Sequence, residues 1–110
     1  MKTTCDRIAG SWELYQLADG HRFSTDDQVC AWHGALRRPG ASKLLDLGSG
    51  IGSVGLSALH MSAPDASLTA IEAQDVSVGL FRKSLAHNGL ESRVRSVHGD
   101  IRDELSLIHI

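Results

Sequence analysis

Apolar and polar positions change period several times along this 110-residue chain, and each change marks an element. Between Ser11 and Phe23 the run Trp12-Glu13-Leu14 alternates, and Asp19-Gly20 is a turn pair. The stretch predicts a hairpin or an extended cover strand. Residues 1–10 carry no usable pattern. Val29, Trp32 and Leu36 then fall at i, i+3 and i+7, one face of a helix that Ser24 or Thr25 caps, with Asp26 and Asp27 in its first turn and Pro39-Gly40 at its end. Leu44, Leu45 and Leu47 read as a strand. Ile51 to Ser62 reads as a helix with Val54, Ala58 and Met61 on one face and Leu59 nearby, stopped by Ala63-Pro64-Asp65. Ser67 to Glu72 is a second strand. Asp75 caps a helix in which Val78, Phe81 and Leu85 share a face and which Asn88-Gly89 stops. Arg93 to His98 is a third strand.

Strand, helix, strand, helix, strand predicts an α/β fold, the first half of a doubly wound parallel sheet. Right-handed crossovers bring the three strand ends to one edge, where open α/β sheets bind ligands. Asp46, Glu72 and Asp100 sit at those ends.

The segment from Lys43 to Gly55 carries the chemistry. After the apolar strand, glycines at 48, 50 and 52 form a tight turn into a helix whose unpaired N–H groups face the same space. Two registers fit. Gly50-x-Gly52-x-x-Gly55 matches a dinucleotide fingerprint, and Glu72 lies 22 positions after Gly50, near the spacing of a ribose-binding acid. Asp46-x-Gly48-x-Gly50-x-Gly52 instead puts a carboxylate inside the strand end, facing the ligand. Such a group repels a pyrophosphate and attracts a cationic ligand, which favours a sulfonium methyl donor over NAD. Gly55, inside the helix, is explained by close packing on the strand.

These motifs, with the acid ending Thr69-Ala70-Ile71-Glu72 and the later Gly99-Asp100-Ile101, resemble in order and spacing the first three motifs of class I S-adenosylmethionine-dependent methyltransferases. Tyr15-Gln16 with Gly20-His21-Arg22-Phe23-Ser24-Thr25-Asp26 is similar to the entry segment of the methyltransferase small domain subgroup that methylates adenine N6 in tRNA. The likeness covers Trp12 to Asp103 and implies a Rossmann-like fold with S-adenosylmethionine as cofactor. It implies that Gly48, Gly50 and Gly52 make the turn against the methionine part of the donor, the alternative being a purely structural turn, that Ser49 also binds the cofactor, and that Glu72 holds both ribose hydroxyls, extended by Gln74. Asp100 and the Ile101 backbone would bind the adenine edge, although Asp100 equally suits the cap of a following helix. Thr25 and Asp26 would lie over the pocket; the bland alternative is a helix capped by its own acids.

Three strands are too few for a complete domain of this kind. The resemblance implies a fourth strand ending in an Asn/Asp-Pro-Pro-aromatic motif, and the only prolines here are Pro39 and Pro64. The expected layout is therefore an N-terminal extension over residues 1–40, the first half of a cofactor domain over 41–104 and a truncated or foreign tail over 105–110. Such a piece holds no catalytic residue of its own and is expected to be inactive alone, with tRNA as the partner of the complete enzyme. An NAD-binding oxidoreductase fragment, or a methyltransferase acting on protein glutamine or a small molecule, is the alternative.

Composition changes this picture little. The chain is 42% hydrophobic and 22% charged with a net charge of −2, so no basic nucleic-acid face or acidic tail stands out. Cys5 and Cys30 fit no metal spacing and read as reduced thiols, and the six histidines are scattered, so no metal is expected. No apolar run approaches a membrane span and no signal-peptide core opens the chain, which makes the cytoplasm the expected location.

Overall fold

The computed structural model describes residues 2–20 and 22–103. The expected tail over 105–110 lies outside the described residues. Element order is β1 (Thr3–Ala9), β2 (Trp12–Leu17), α1 (Thr25–Arg37), β3 (Lys43–Leu47), α2 (Ser53–His60), β4 (Ser67–Glu72), α3 (Asp75–Asn88) and β5 (Val94–His98). Strands β3, β4 and β5 form a parallel sheet in that order, pairing Asp46 with Ala70 and Glu72 with His98. This is the α/β arrangement expected from the sequence. The core joins Leu56 and Leu59 of α2, Leu68 and Ala70 of β4, Phe81 and Leu85 of α3, and Ile8 and Leu14 of the hairpin. Leu45 and Leu47, on the face of β3 opposite Leu44 and Asp46, are half exposed.

The hairpin lies one strand earlier than expected. β1 and β2 pair antiparallel, with Ala9 opposite Trp12, so the turn is Gly10-Ser11 and not Asp19-Gly20. Gly10 has φ +54, the sign that tight hairpin turns demand, and a side chain there would collide with the His60 ring. β1 carries no strand signal in the sequence because its inner face bears polar groups. Asp6 Oδ2 accepts from Gln16 Nε2 at 2.9 Å and from Arg22 Nη2 at 3.1 Å, and Gln16 Oε1 accepts from the Phe23 N–H at 3.1 Å.

Two helix faces also differ from expectation. In α1 the stripe Val29, Trp32 and Leu36 points outward, each residue more than half exposed, and the helix buries Ala31 instead. In α2 the buried positions are Ser53, Gly55, Leu56, Ser57 and Leu59, while Met61 is exposed. Helix α2 is apolar nearly all round because α1, the hairpin and the sheet all touch it, so no single stripe marks the sheet-facing side. In α3 the expected Val78, Phe81 and Leu85 are buried, and Gly89 ends the helix at φ +66.

Candidate cofactor site

The turn from β3 into α2 is bolted to the neighbouring strand. Gly48 and Ser49 N–H groups both donate to the Ile71 carbonyl at 2.9 Å, and Gly52 N–H donates to the Ser49 carbonyl at 3.0 Å. Gly48 and Gly50 have φ of +73 and +56, and a Cβ at either would meet nothing within 4 Å. Glycine is needed there for conformation, and the space above stays open to a ligand. Gly52 differs. A Cβ on it would overlap the Phe81 ring, so it seats α2 on α3.

Glu72 ends β4 and bridges two loops. Its Oε1 accepts from Gly50 N–H at 2.7 Å and its Oε2 from Gln74 N–H at 3.0 Å. Gln74 is the N-cap residue of α3. Asp46 lies beneath the corner, where Oδ2 is buried without a hydrogen-bond partner. Burial pushes its carboxyl above the usual range; the nearby Gly55 N–H offsets part of this, and the charge of Glu72 adds to the rise. A Cβ on Gly55 would lie 2.9 Å from that oxygen and 3.0 Å from Leu68 Cδ2, consistent with the expected close helix–strand packing.

Asp100 follows β5 and accepts from Arg102, at 2.9 Å from its backbone N–H and 2.6 Å from Nη2. Those bonds hold its carboxyl down to about 2. Ile101 beside it is exposed.

Two clefts meet at Gly50-Ile51. The larger, of about 530 Å³, is lined by those residues with Glu72, Gln74, Val76, Ser77, Leu80 and Leu17, a size suited to a small molecule. The smaller, of about 180 Å³, is lined by Gly48, Ser49, Gly50, Ile51, Ser53, Val54, Phe23 and Asp27. Of the residues expected at the site, Gly48, Ser49, Gly50, Glu72 and Gln74 line these clefts. Asp46 and Gly52 lie under them, Asp100 and Ile101 lie beyond β5, and Thr25 and Asp26 are exposed at the start of α1.

Asp27 was not anticipated at the site. It accepts from the Ser24 N–H at 3.2 Å and from Ser53 Oγ at 3.0 Å, joining the starts of α1 and α2. Its spacing from Ser24 is a helix-capping signal, but that signal does not reveal the contact with Ser53. Leu17, Ser77 and Leu80 lacked any local signal.

The corner has the chemistry to suit a ligand with hydroxyl donors and a positive charge. Glu72 keeps lone pairs beyond its two backbone bonds, and Asp46 is a carboxylate that burial leaves short of compensation. Among the described residues no helix is long and apolar enough to cross a membrane.

Comparison with known proteins agrees with this architecture. The chain is 33% identical over 61 residues to a tRNA1(Val) (adenine(37)-N6)-methyltransferase of Bacteroides thetaiotaomicron; the match takes in 56% of this chain and spans about a quarter (26%) of that relative's length. The fold superimposes on the O-methyltransferase TomG of Streptomyces achromogenes, solved with SAM, at a TM-score of 0.65 and 21% identity, covering 86% of this chain and 41% of that one. It also superimposes on TYW2 of Pyrococcus horikoshii, solved with MeSAdo, at a TM-score of 0.69 and 18% identity, covering 93% and 38%. The likeness to both structures is one of fold. The family model described as methyltransferase small domain matches residues 33–108, the span that holds the glycine corner and the strand-end acids: the chain belongs to the methyltransferase small domain family.

Proposed function

We propose that this chain is the S-adenosylmethionine-binding part of a cytoplasmic methyltransferase that acts on adenine N6 in tRNA. The observation that carries this reading is the pair of carboxylates, Asp46 and Glu72, ending neighbouring strands beneath one glycine corner. Each acts on the other as a like charge, and the Asp46 carboxyl is already pushed up by burial. A cationic ligand relieves both; a pyrophosphate aggravates both. That contrast favours the methyl donor over a nicotinamide dinucleotide.

When bound, S-adenosylmethionine supplies a methyl group activated by positively charged sulfur. Glu72 offers its two oxygens to the ribose hydroxyls, Gln74 extends that contact, and the Gly48 to Gly52 corner takes the methionine part. Asp46 balances the positive charge from below. Asp100 and Ile101 serve the adenine edge, and Thr25 and Asp26 stand at the entrance. All of these groups position the donor, which is a large share of what methyl transfer requires. The tRNA assignment draws support from the Bacteroides relative.

Calorimetry on the 110-residue chain tests the donor. One equivalent of S-adenosylhomocysteine should bind and NADH should not, with Glu72→Gln weakening the complex by about tenfold, or about 1.4 kcal/mol. NADH binding without S-adenosylhomocysteine binding overturns the reading. The acceptor is tested separately, by incubating the product of the full coding sequence with tRNA and analysing its nucleosides by mass spectrometry. N6-methyladenosine is expected. A methylated protein glutamine or small molecule in its place would refute the tRNA assignment alone.

A further inference from the structure

Away from the cofactor corner, three side chains of metal-ligating type converge where the hairpin meets α3. Cys5 on β1, Glu13 on β2 and His87 in the last turn of α3 each offer one ligand atom, all within 4.8 Å of one another. His87 Nε2 lies 2.9 Å from Glu13 Oε1 and 3.9 Å from Cys5 Sγ. A tetrahedral zinc ion, with bonds of about 2.3 Å to sulfur and about 2.0–2.1 Å to nitrogen or oxygen, spaces its ligand atoms about 3.3–3.6 Å apart. Shifts of about 1 Å or less bring the three atoms to that spacing.

The backbone fixes where these groups stand. Cys5 pairs with Tyr15 across the hairpin, and Glu13 lies two residues from Tyr15 on the same strand face. Asn88, next to His87, holds the Glu13 backbone at two points on one strand edge, accepting its N–H at 2.9 Å and donating to its carbonyl at 2.6 Å. The Tyr15 ring meets the His87 ring edge-on at 5.4 Å, which limits the imidazole's freedom. With the ring proton on Nδ1, Nε2 presents its lone pair toward the thiol and the carboxylate. Cys5 and Glu13 are partly buried and His87 is exposed, so a fourth ligand position opens to water.

Sulfur, imidazole and carboxylate together suit zinc, whereas magnesium and calcium take oxygen alone. We propose that Cys5, Glu13 and His87 form a binding site for a divalent transition ion of the zinc type, which fastens the N-terminal hairpin to the end of α3. The linear spacing of cysteines and histidines gave no hint of it, because Glu13 and His87 are 74 positions apart. Since Leu17 at the end of β2 lines the larger cleft, the ion also steadies one wall of the cofactor site.

The test is a titration of the reduced 110-residue chain with zinc by calorimetry and with cobalt by visible absorption. One equivalent of zinc should bind, cobalt should give a thiolate charge-transfer band, and magnesium should do neither. Cys5→Ser should remove the band, and Cys5→Ser and His87→Gln should each weaken zinc by about tenfold or more. Cys30→Ser, which changes the exposed thiol on α1, should alter nothing. Glu13→Gln leaves the backbone clamp intact and decides the matter if the other variants do not fold: it too should weaken zinc. Stoichiometry below one equivalent, binding that survives all three ligand substitutions, or a cobalt band that depends on Cys30 would overturn the proposal.

Discussion

Helix α3 is held against two neighbours by opposite means. Toward the sheet it buries Val78, Phe81 and Leu85, and this side is apolar. Toward β2 it presents Ser84 and Asn88, which serve as hydrogen-bond partners for an open strand edge: Ser84 Oγ accepts from Tyr15 N–H at 2.8 Å and donates to the Leu80 carbonyl at 3.0 Å, while Asn88 brackets Glu13. Hydrophobic burial is large and tolerant of geometry; these polar clamps are smaller and directional. The contrast shows how an added hairpin can dock on a helix that already serves another core.

The largest effect should come from the apolar side. Phe81→Ala is expected to cost about 3–5 kcal/mol by urea denaturation, since the ring is fully buried and rests on Gly52. On the polar side Asn88→Ala should cost about 1–3 kcal/mol, and amide exchange should accelerate in the hairpin while β4 stays protected. Equal losses, or exchange that speeds up uniformly, would erase the distinction between the two sides.

A third substitution sharpens the comparison with a polar group buried where β3 meets α2, beside Gly55. The Asp46 carboxyl is raised in the folded chain, so its favourable contribution is present below the unfolded value and is lost as pH rises through the folded one. Asp46→Asn should therefore stabilise the fold at neutral pH, by less than either loss above, and remove the fall in stability between the unfolded and folded carboxyl values. It should also weaken S-adenosylhomocysteine binding in calorimetry. An unchanged melting temperature at pH 7 would mean that the carboxylate is already compensated.

The smallest effect belongs to the exposed pair beyond β5. Arg102 depresses the Asp100 carboxyl to about 2, so the pair's contribution is present above the unfolded value and fades as pH falls through about 2. Solvent screens the pair, and Arg102→Ala should leave unfolding unchanged while moving the Asp100 titration up toward the ordinary carboxylate range by NMR. A carboxyl that stayed low would show that other groups hold it.

What could be read from the chain follows the same division. β4 runs Ser67–Glu72, as expected, because buried parallel strands are written in apolar residues between clear breakers. The glycine corner and Glu72 were legible for the same reason: they combine a special backbone with a strand end. β1 was not, since Thr4 and Asp6 gain their inward place only from Gln16 and Arg22. The exposed stripe on α1 shows the converse, a regular apolar spacing that the described residues leave uncovered. Asp27 could not be told from Asp26 without the angle between α1 and α2, and Cys5, Glu13 and His87 meet only through tertiary pairing.

The bridge that Glu72 makes between Gly50 and Gln74 has a kinetic consequence. Both walls of the larger cleft are tied together before anything enters it, so little ordering entropy is left to lose on association. Complex formation should then proceed in one step, with an observed rate that climbs linearly with ligand concentration and shows no plateau from a slow closure.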